Sequence, residues 1–337
     1  GVVYLAEHPQ LGSAALKFVR AGSAADTSFR ARFRREVEAA ERVRSPRVAP
    51  VLAADPDAET PWLATGFVDG PTLKEAIDDA GPMAGDRLVA LAVALADALA
   101  AIHGVDVVHR DLKPSNILLT PETPVVIDFG IAALREAPAL TRTGMALGTP
   151  GWMAPEQVQG RRCGPPVDVF SWGLVVGYAA SARPLFGRGP ADALFYRVVH
   201  EAPDLPELPS PLDGLVPAAL TKDPRLRPDV AQVLATLTGV PLEATVAGTT
   251  AIGPTLADRT AVVPTIVALG WGVDALPTRP DGRRRAVPDG PDGGVPVVPG
   301  ATFWFAGREH RDARSLAGAF QAWWDDAVDQ LFRRRDS

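Results

Sequence analysis

Apolar positions at helical spacing mark the first long element of the chain. Phe29, Phe33, Val37, Ala40 and Val43 recur three to four residues apart with arginines and glutamates between them, and Asp26-Thr27-Ser28 offers the N-cap chemistry that starts such a helix. Around it, short apolar runs at 2–6, 14–19, 48–53 and 62–67 read as β-strands, the first two joined by a turn holding Pro9 and Gly12. From Thr72 onward the pattern becomes helical. Residues 88–102 are apolar almost all round, as in a helix buried inside a large lobe. A short strand is predicted at 125–127, followed by helices at 167–180, 191–200, 215–221 and 230–237. Strands first and helices second predict an α+β fold in two lobes, 1–66 and 70–240.

Beyond residue 240 the pattern is lost. Residues 241–300 are rich in Pro, Gly, Thr, Asp and Arg with little periodicity, and read as a linker or disordered tail. Within the last segment, 301–337, a strand is predicted at 302–305. Leu316, Phe320, Trp323, Ala327, Val328 and Leu331 then fall on one face of an amphipathic helix. This small helical element must bury its Trp-rich stripe on the preceding lobe, in a module of its own or on a partner.

Composition narrows the function classes. A length of 337 residues suggests about two domains, and a net charge of −6 gives a nucleic-acid partner no electrostatic support. The single cysteine, Cys163, excludes an intramolecular disulfide and a multi-cysteine zinc site, and fits a reducing, cytoplasmic setting. The N-terminus lacks the pattern of a signal peptide. The weakly polar stretch 261–273 contains Pro264, Gly270 and Gly272 and falls short of the ~20 apolar residues that span a bilayer, so no membrane span is expected. The chain starts without methionine and reads as a fragment.

The chemistry is concentrated in two segments. His109-Arg110-Asp111-Leu112-Lys113-Pro114-Ser115-Asn116 has the H-R-D-x-x-x-x-N form of a kinase catalytic loop, and Asp128-Phe129-Gly130 is a D-F-G turn. Together they supply a carboxylate base, a lysine for phosphate charge and hard oxygen ligands for Mg²⁺, which is what phosphoryl transfer requires.

With Tyr4-Leu5-Ala6, Ala15-Leu16-Lys17, Gly148 to Glu156 and Asp223 to Pro228 in the same order, the chain resembles the bacterial eukaryotic-like (Hanks-type) serine/threonine protein kinases from Gly1 to about Leu237. The resemblance implies a bilobal fold with a five-stranded sheet and one helix in the small lobe, and ATP and Mg²⁺ as cofactors. It implies Asp111 as catalytic base, Lys113 facing the γ-phosphate, and Asn116 and Asp128 as metal ligands. Lys17 would hold the α- and β-phosphates and pair with Glu36, with Glu38 and Glu41 left open as competitors. Val3, Ala15 and Leu118 match the residues that sandwich the adenine. Backbone groups around Gly66 to Val68 match the hinge, and Thr65 the gatekeeper.

One part of the signature departs from the family. Of the glycine-rich loop G-x-G-x-x-G-x-V only the last glycine, Gly1, and Val3 are present. The small lobe is therefore expected to be truncated at its start, and the chain as given to bind ATP weakly and be weakly active.

The resemblance also covers regulation and substrate. Arg110 before the base implies an activation segment ordered by phosphorylation, with Thr141 and Thr143 at the autophosphorylation positions. The alternative is that both are plain polar loop residues. Thr149, in Gly148-Thr149-Pro150, implies a peptide platform for Ser/Thr protein substrates. Glu156 paired with Arg227, and Asp168 anchoring the catalytic loop, would be structural. Two rivals remain at this point: a pseudokinase scaffold, and a small-molecule phosphotransferase of the aminoglycoside type, which has no use for a peptide platform.

Overall fold

Residue alternation decides which side of the first sheet is buried. The computed structural model describes residues 3–8, 12–18, 27–58, 60–128, 149–239, 303–305 and 308–310. Strands β1 (Val3–His8), β2 (Gly12–Phe18), β3 (Val51–Asp55) and β4 (Trp62–Gly66) form an antiparallel sheet in the order β1-β2-β4-β3. Ala6, Ala14, Leu16, Ala53, Trp62 and Ala64 form its buried cluster. The described sheet has four strands where the family resemblance implies five.

Helix α1 (Thr27–Ala40) buries Phe29, Phe33, Val37 and Ala40, the stripe visible in the sequence, with the first two rings stacked at 6.1 Å. Two arginines on other faces tie it to the turn after β3. Arg30 Nη1 donates to the carbonyls of Pro56 and Ala58 at 3.0 and 2.7 Å, and Arg34 pairs with Asp57.

The strand expected at 48–53 is present but starts later. β3 begins at Val51, while Val48 forms a parallel bridge with Val126. Arg47 is the cause. Its carbonyl accepts from Val126 N–H at 2.8 Å, its Nε donates to Asp97 at 2.8 Å and its Nη1 donates to Thr123 Oγ1. Residues 43–48 therefore belong to the second compact unit, which resumes at Asp69 after the first unit's Ala49–Val68.

That second unit is mostly helical. It contains α2 (Leu73–Ala80), α3 (Gly85–His103), α4 (Pro155–Val158), α5 (Pro166–Ser181), α6 (Ala191–His200), α7 (Leu212–Ala219) and α8 (Val230–Thr238). Local chemistry sets several ends. Thr72 and Glu75 form a reciprocal capping box at α2, Asp229 and Gln232 form another at α8, and α8 stops at Gly239 with φ of 68°. α3 packs against α5, α8 and β6 (Pro124–Val126), and the buried Trp172 indole pins α5 to it by donating to Ala92 O at 2.9 Å. β6 pairs with β5 (Ile117–Leu119), a three-residue strand too short to show a period in the sequence. Gly177 permits the close approach of the next loop, since a Cβ there would lie 2.6 Å from Leu185 Cδ1.

Near the C-terminus, β7 (Phe303–Phe305) and β8 (Arg308–His310) form a hairpin, so the strand expected at 302–305 is present. The expected linker at 241–300 and the helix carrying Trp323 lie outside the described residues. No described helix is long and apolar enough to cross a membrane.

One half-buried cation is expected to give the helical unit a pH dependence. Lys222 Nζ donates to Val198 O at 2.6 Å and sits 4.3 Å from the Phe186 ring centroid. Burial, and then the charge of Arg227, push its pKa down from 10.5 to about 8. Between those two values the unfolded chain holds the proton and the folded one does not, so this group's contribution to stability rises with pH across that window. Denaturant titrations at pH about 7 and about 10 should show that rise in the wild type. Lys222→Met should flatten it, and an unchanged slope in the variant would assign the effect to other groups.

Candidate active site

The catalytic segment is a short loop whose backbone is held from behind by one buried carboxylate. Asp168, fully buried near the start of α5, accepts from His109 N–H at 2.7 Å and Arg110 N–H at 2.8 Å, and its Oδ2 lies 2.8 Å from His103 Nε2. Arg110 adopts a left-handed conformation with φ of 64°, and Asp128 another with φ of 59°. Non-glycine residues hold that conformation where the surroundings over-determine it.

The buried His109 ring has a defined tautomer. Asp111 N–H donates to its Nδ1 at 3.2 Å, so Nε2 carries the proton and donates to Ile127 O, also at 3.2 Å. Burial lowers the His109 pKa, with Asp168 and Asp111 opposing the shift. A neutral imidazole thus links the residue before the D-F-G aspartate to the peptide entering Asp111.

Asp111 itself gathers the polar side chains. Its Oδ2 accepts from Lys113 Nζ at 2.6 Å and from Asn116 Nδ2 at 3.3 Å, while Asn116 Nδ2 also reaches Asp111 O at 2.9 Å. Lys113 Nζ donates a further bond to Thr149 Oγ1 at 2.8 Å, across 36 residues of chain. The Asp111 and Lys113 side chains keep 25% and 19% of their exposure, so the group is reachable from solvent. The β5–β6 register pairs Ile117 with Val126, and Ile127 N–H donates to Asn116 O at 3.0 Å. Asn116 and Asp128 therefore leave the same end of one two-stranded ladder.

The segment that follows Thr149 is tied to the helices. Ser171 Oγ lies 3.2 Å from Trp152 O. Arg227 Nη1 and Nη2 donate to the two Glu156 oxygens at 2.6 and 2.8 Å, with both side chains buried. Gln157 bridges Ala154 N–H and Arg110 O.

The β-rich unit carries the other candidates. Cross-strand partners share a face, and the registers Val3↔Lys17, Leu5↔Ala15 and Ala15↔Thr65 put Val3, Ala15, Lys17 and Thr65 on one side, opposite the buried cluster of Ala14 and Leu16. Val3 is 51% exposed there. Glu36 on α1 and Glu41 just after it are both half-buried, whereas Glu38 is exposed. Gly66 N–H and Phe67 N–H donate to Pro50 O and Ser13 O at 2.8 and 3.2 Å. Those two donors are therefore committed within the β-rich unit. Leu118 lies in β5, bridged to Thr72. Gly1, Thr141, Thr143, Phe129 and Gly130 lie outside the described residues.

His103 and Gln157 were not legible as site residues. His103 stands at the end of a helix whose sequence shows only burial. Gln157 offers a faint signal, a glutamine three residues into a helix that starts at Ala154-Pro155, where a side chain can cap the backbone.

A β-rich unit, a helical unit and a His-Arg-Asp loop gathered around Asp111 together define a protein kinase. The protein kinase domain model matches residues 1–237, and the chain belongs to that family. It is 43% identical over 237 residues to the probable serine/threonine-protein kinase PkwA of Thermomonospora curvata, covering 70% of this chain and 32% of that protein. It is 43% identical over 239 residues to the serine/threonine-protein kinase AfsK of Streptomyces coelicolor, covering 70% and 30%. The crystal structure of the Mycobacterium tuberculosis PknI kinase domain superposes with a TM-score of 0.53 at 27% identity, over 70% of this chain and 89% of that one. The chain spans about a third of the length of the curated relatives it matches. Residues 1–237 are a serine/threonine protein kinase domain of the bacterial, eukaryotic-like kind.

Proposed function

We propose that this protein transfers the γ-phosphoryl group of ATP to serine and threonine hydroxyls of protein substrates, with Asp111 as base. The observation that carries this reading is Lys113 Nζ bonded at once to Asp111 Oδ2 and Thr149 Oγ1, at 2.6 and 2.8 Å. It ties the proton acceptor, the cation for phosphate charge and the peptide platform into one unit. A small-molecule phosphotransferase has no use for the third part.

Asp111 Oδ2 is occupied by Lys113 and Asn116, so Oδ1 is the atom assigned to the incoming hydroxyl. It takes that proton as the substrate oxygen bonds to phosphorus and the bond to the ADP oxygen breaks. Lys113 offsets charge on the transferred phosphoryl group, and Thr149 keeps its ammonium directed there. Lys17 is assigned to the α- and β-phosphates, with Glu36 as its partner. Val3, Ala15, Leu118 and the backbone of Gly66 and Val68 are assigned to the adenine. Thr141 and Thr143 are assigned as autophosphorylation sites, where added charge would meet Arg110. The kinase domain is assigned to 1–240, the linker to 241–300 and a small helical element to 301–337.

Asn116 and Asp128 fit a nucleotide-bound Mg²⁺. The Asn116 amide nitrogen is spent on Asp111, which leaves its carbonyl oxygen as the ligand atom beside the Asp128 carboxylate. No cluster of three or more His, Cys, Asp or Glu able to hold a metal occurs among the described residues. A two-ligand set suits Mg²⁺, which takes its remaining positions from phosphate and water. When bound, the metal ion neutralises phosphate charge.

Incubation with labelled ATP, Mg²⁺ and a basic protein, followed by hydrolysis, should yield phosphoserine or phosphothreonine. Lys17→Met should abolish the label. Phosphotyrosine, or label unaffected by Lys17→Met, would sink the reading.

A further inference from the structure

The Gln157 side chain connects two segments 47 residues apart. Its Nε2 donates to Arg110 O at 2.9 Å while its Oε1 accepts from Ala154 N–H at 2.8 Å. Arg110 O belongs to the peptide unit that leads into Asp111. The other polar end of that unit, Asp111 N–H, is held by His109 Nδ1 at 3.2 Å. The peptide plane before the base is thus fixed at both ends. Its neighbour is fixed too, because Arg110 N–H goes to Asp168 Oδ1 at 2.8 Å. Between the two planes Arg110 sits at φ of 64°, a conformation that relaxes once either plane is released. Two of these three partners, His109 and Asp168, belong to the catalytic loop or to α5 behind it. Gln157 alone belongs to the platform side, eight residues after Thr149.

We infer that Gln157 is a positioning residue for Asp111, holding the Arg110–Asp111 peptide so that the carboxylate stays on Lys113 when substrate occupies the platform. The inference rests on the reading of Asp111 as base. It gives the platform two links to the catalytic loop, one through the Thr149 hydroxyl to Lys113 and one through the Gln157 amide to the backbone.

Two substitutions separate this role from simple capping of α4. Gln157→Glu keeps the acceptor for Ala154 N–H but sets a carboxylate oxygen against Arg110 O, where no donor remains. Gln157→Met removes both bonds. Positioning requires that kcat fall about tenfold in Gln157→Glu, the equivalent of about 1.4 kcal/mol, and at least as far as in Gln157→Met. KM for ATP and the thermal midpoint of the Glu variant should stay at wild-type values. Capping alone gives the reverse order, with Met impaired and Glu near wild type. Wild-type kcat in Gln157→Glu, or a loss of kcat matched by a lowered midpoint with Met the worse of the two, overturns the inference. If Gln157→Glu does not fold, Gln157→Met decides, assayed well below its own thermal midpoint: an about tenfold loss of kcat supports the role, and wild-type kcat overturns it. Asp111→Asn run alongside distinguishes the two levels, because an active Asp111→Asn removes the base itself rather than the link to it.

Discussion

Asp111→Asn is expected to lower kcat about 100- to 10,000-fold, the range that a positioned general base contributes. The substitution keeps the volume and removes the only side-chain acceptor that could take the substrate proton in this loop. Lys113 also loses the carboxylate that holds it at 2.6 Å, and Asn116 loses a weaker contact at 3.3 Å. KM for ATP should change little, because the groups assigned to the adenine and to the α- and β-phosphates are untouched. The thermal midpoint should hold, since the backbone of the loop is carried by Asp168. Steady-state kinetics with a protein substrate make the check. A kcat within threefold of wild type would mean the proton leaves by another route, with the loop acting mainly on charge.

The second large effect concerns stability. Arg227 is fully buried and satisfies five acceptors: both Glu156 oxygens, and the carbonyls of Thr221, Pro166 and Lys222 at 2.8, 2.9 and 3.1 Å. Its guanidinium also lies 4.8 Å from the Phe170 ring centroid. Arg227→Met strands a buried carboxylate, which typically costs ~3–5 kcal/mol. For a domain of this size that lowers the thermal midpoint by roughly 10 °C. Adding Glu156→Leu should recover part of the loss, because the stranded charge is gone although three carbonyls stay unpaired. Calorimetry on the single and double variants separates the two contributions. A single variant as stable as wild type would show that water reaches Glu156.

These expectations draw on different levels of the molecule. Asp111, Lys113 and Asn116 are legible in the chain because they lie within six residues, where loop chemistry depends on spacing alone. The stripe of α1 and the apolar run of α3 are legible for a related reason, since 3.6-residue periodicity records which face is buried. β5 is not legible although β6, of the same length, is, because Val125-Val126-Ile127 is β-branched throughout whereas Ile117-Leu118-Leu119 has one β-branched residue. The start of the strand placed at 48–53 is misread for a different reason. Val48 and Val51 look alike in sequence, but the Arg47 carbonyl and guanidinium attach the first to Val126, Asp97 and Thr123.

The amino-acid sequence by itself determines which reactive groups this protein owns, their order along the chain and the conformation of its strongly periodic segments. Tertiary structure decides what each group touches. Thr149 reaches Lys113 across 36 residues, Gln157 reaches Arg110 across 47, Asp168 reaches the loop across 58 and 59, and Arg227 reaches Glu156 across 71. Local periodicity extends over a few turns of backbone, whereas these bonds form only once α3, α4 and α5 have packed and brought distant donors to the same acceptors.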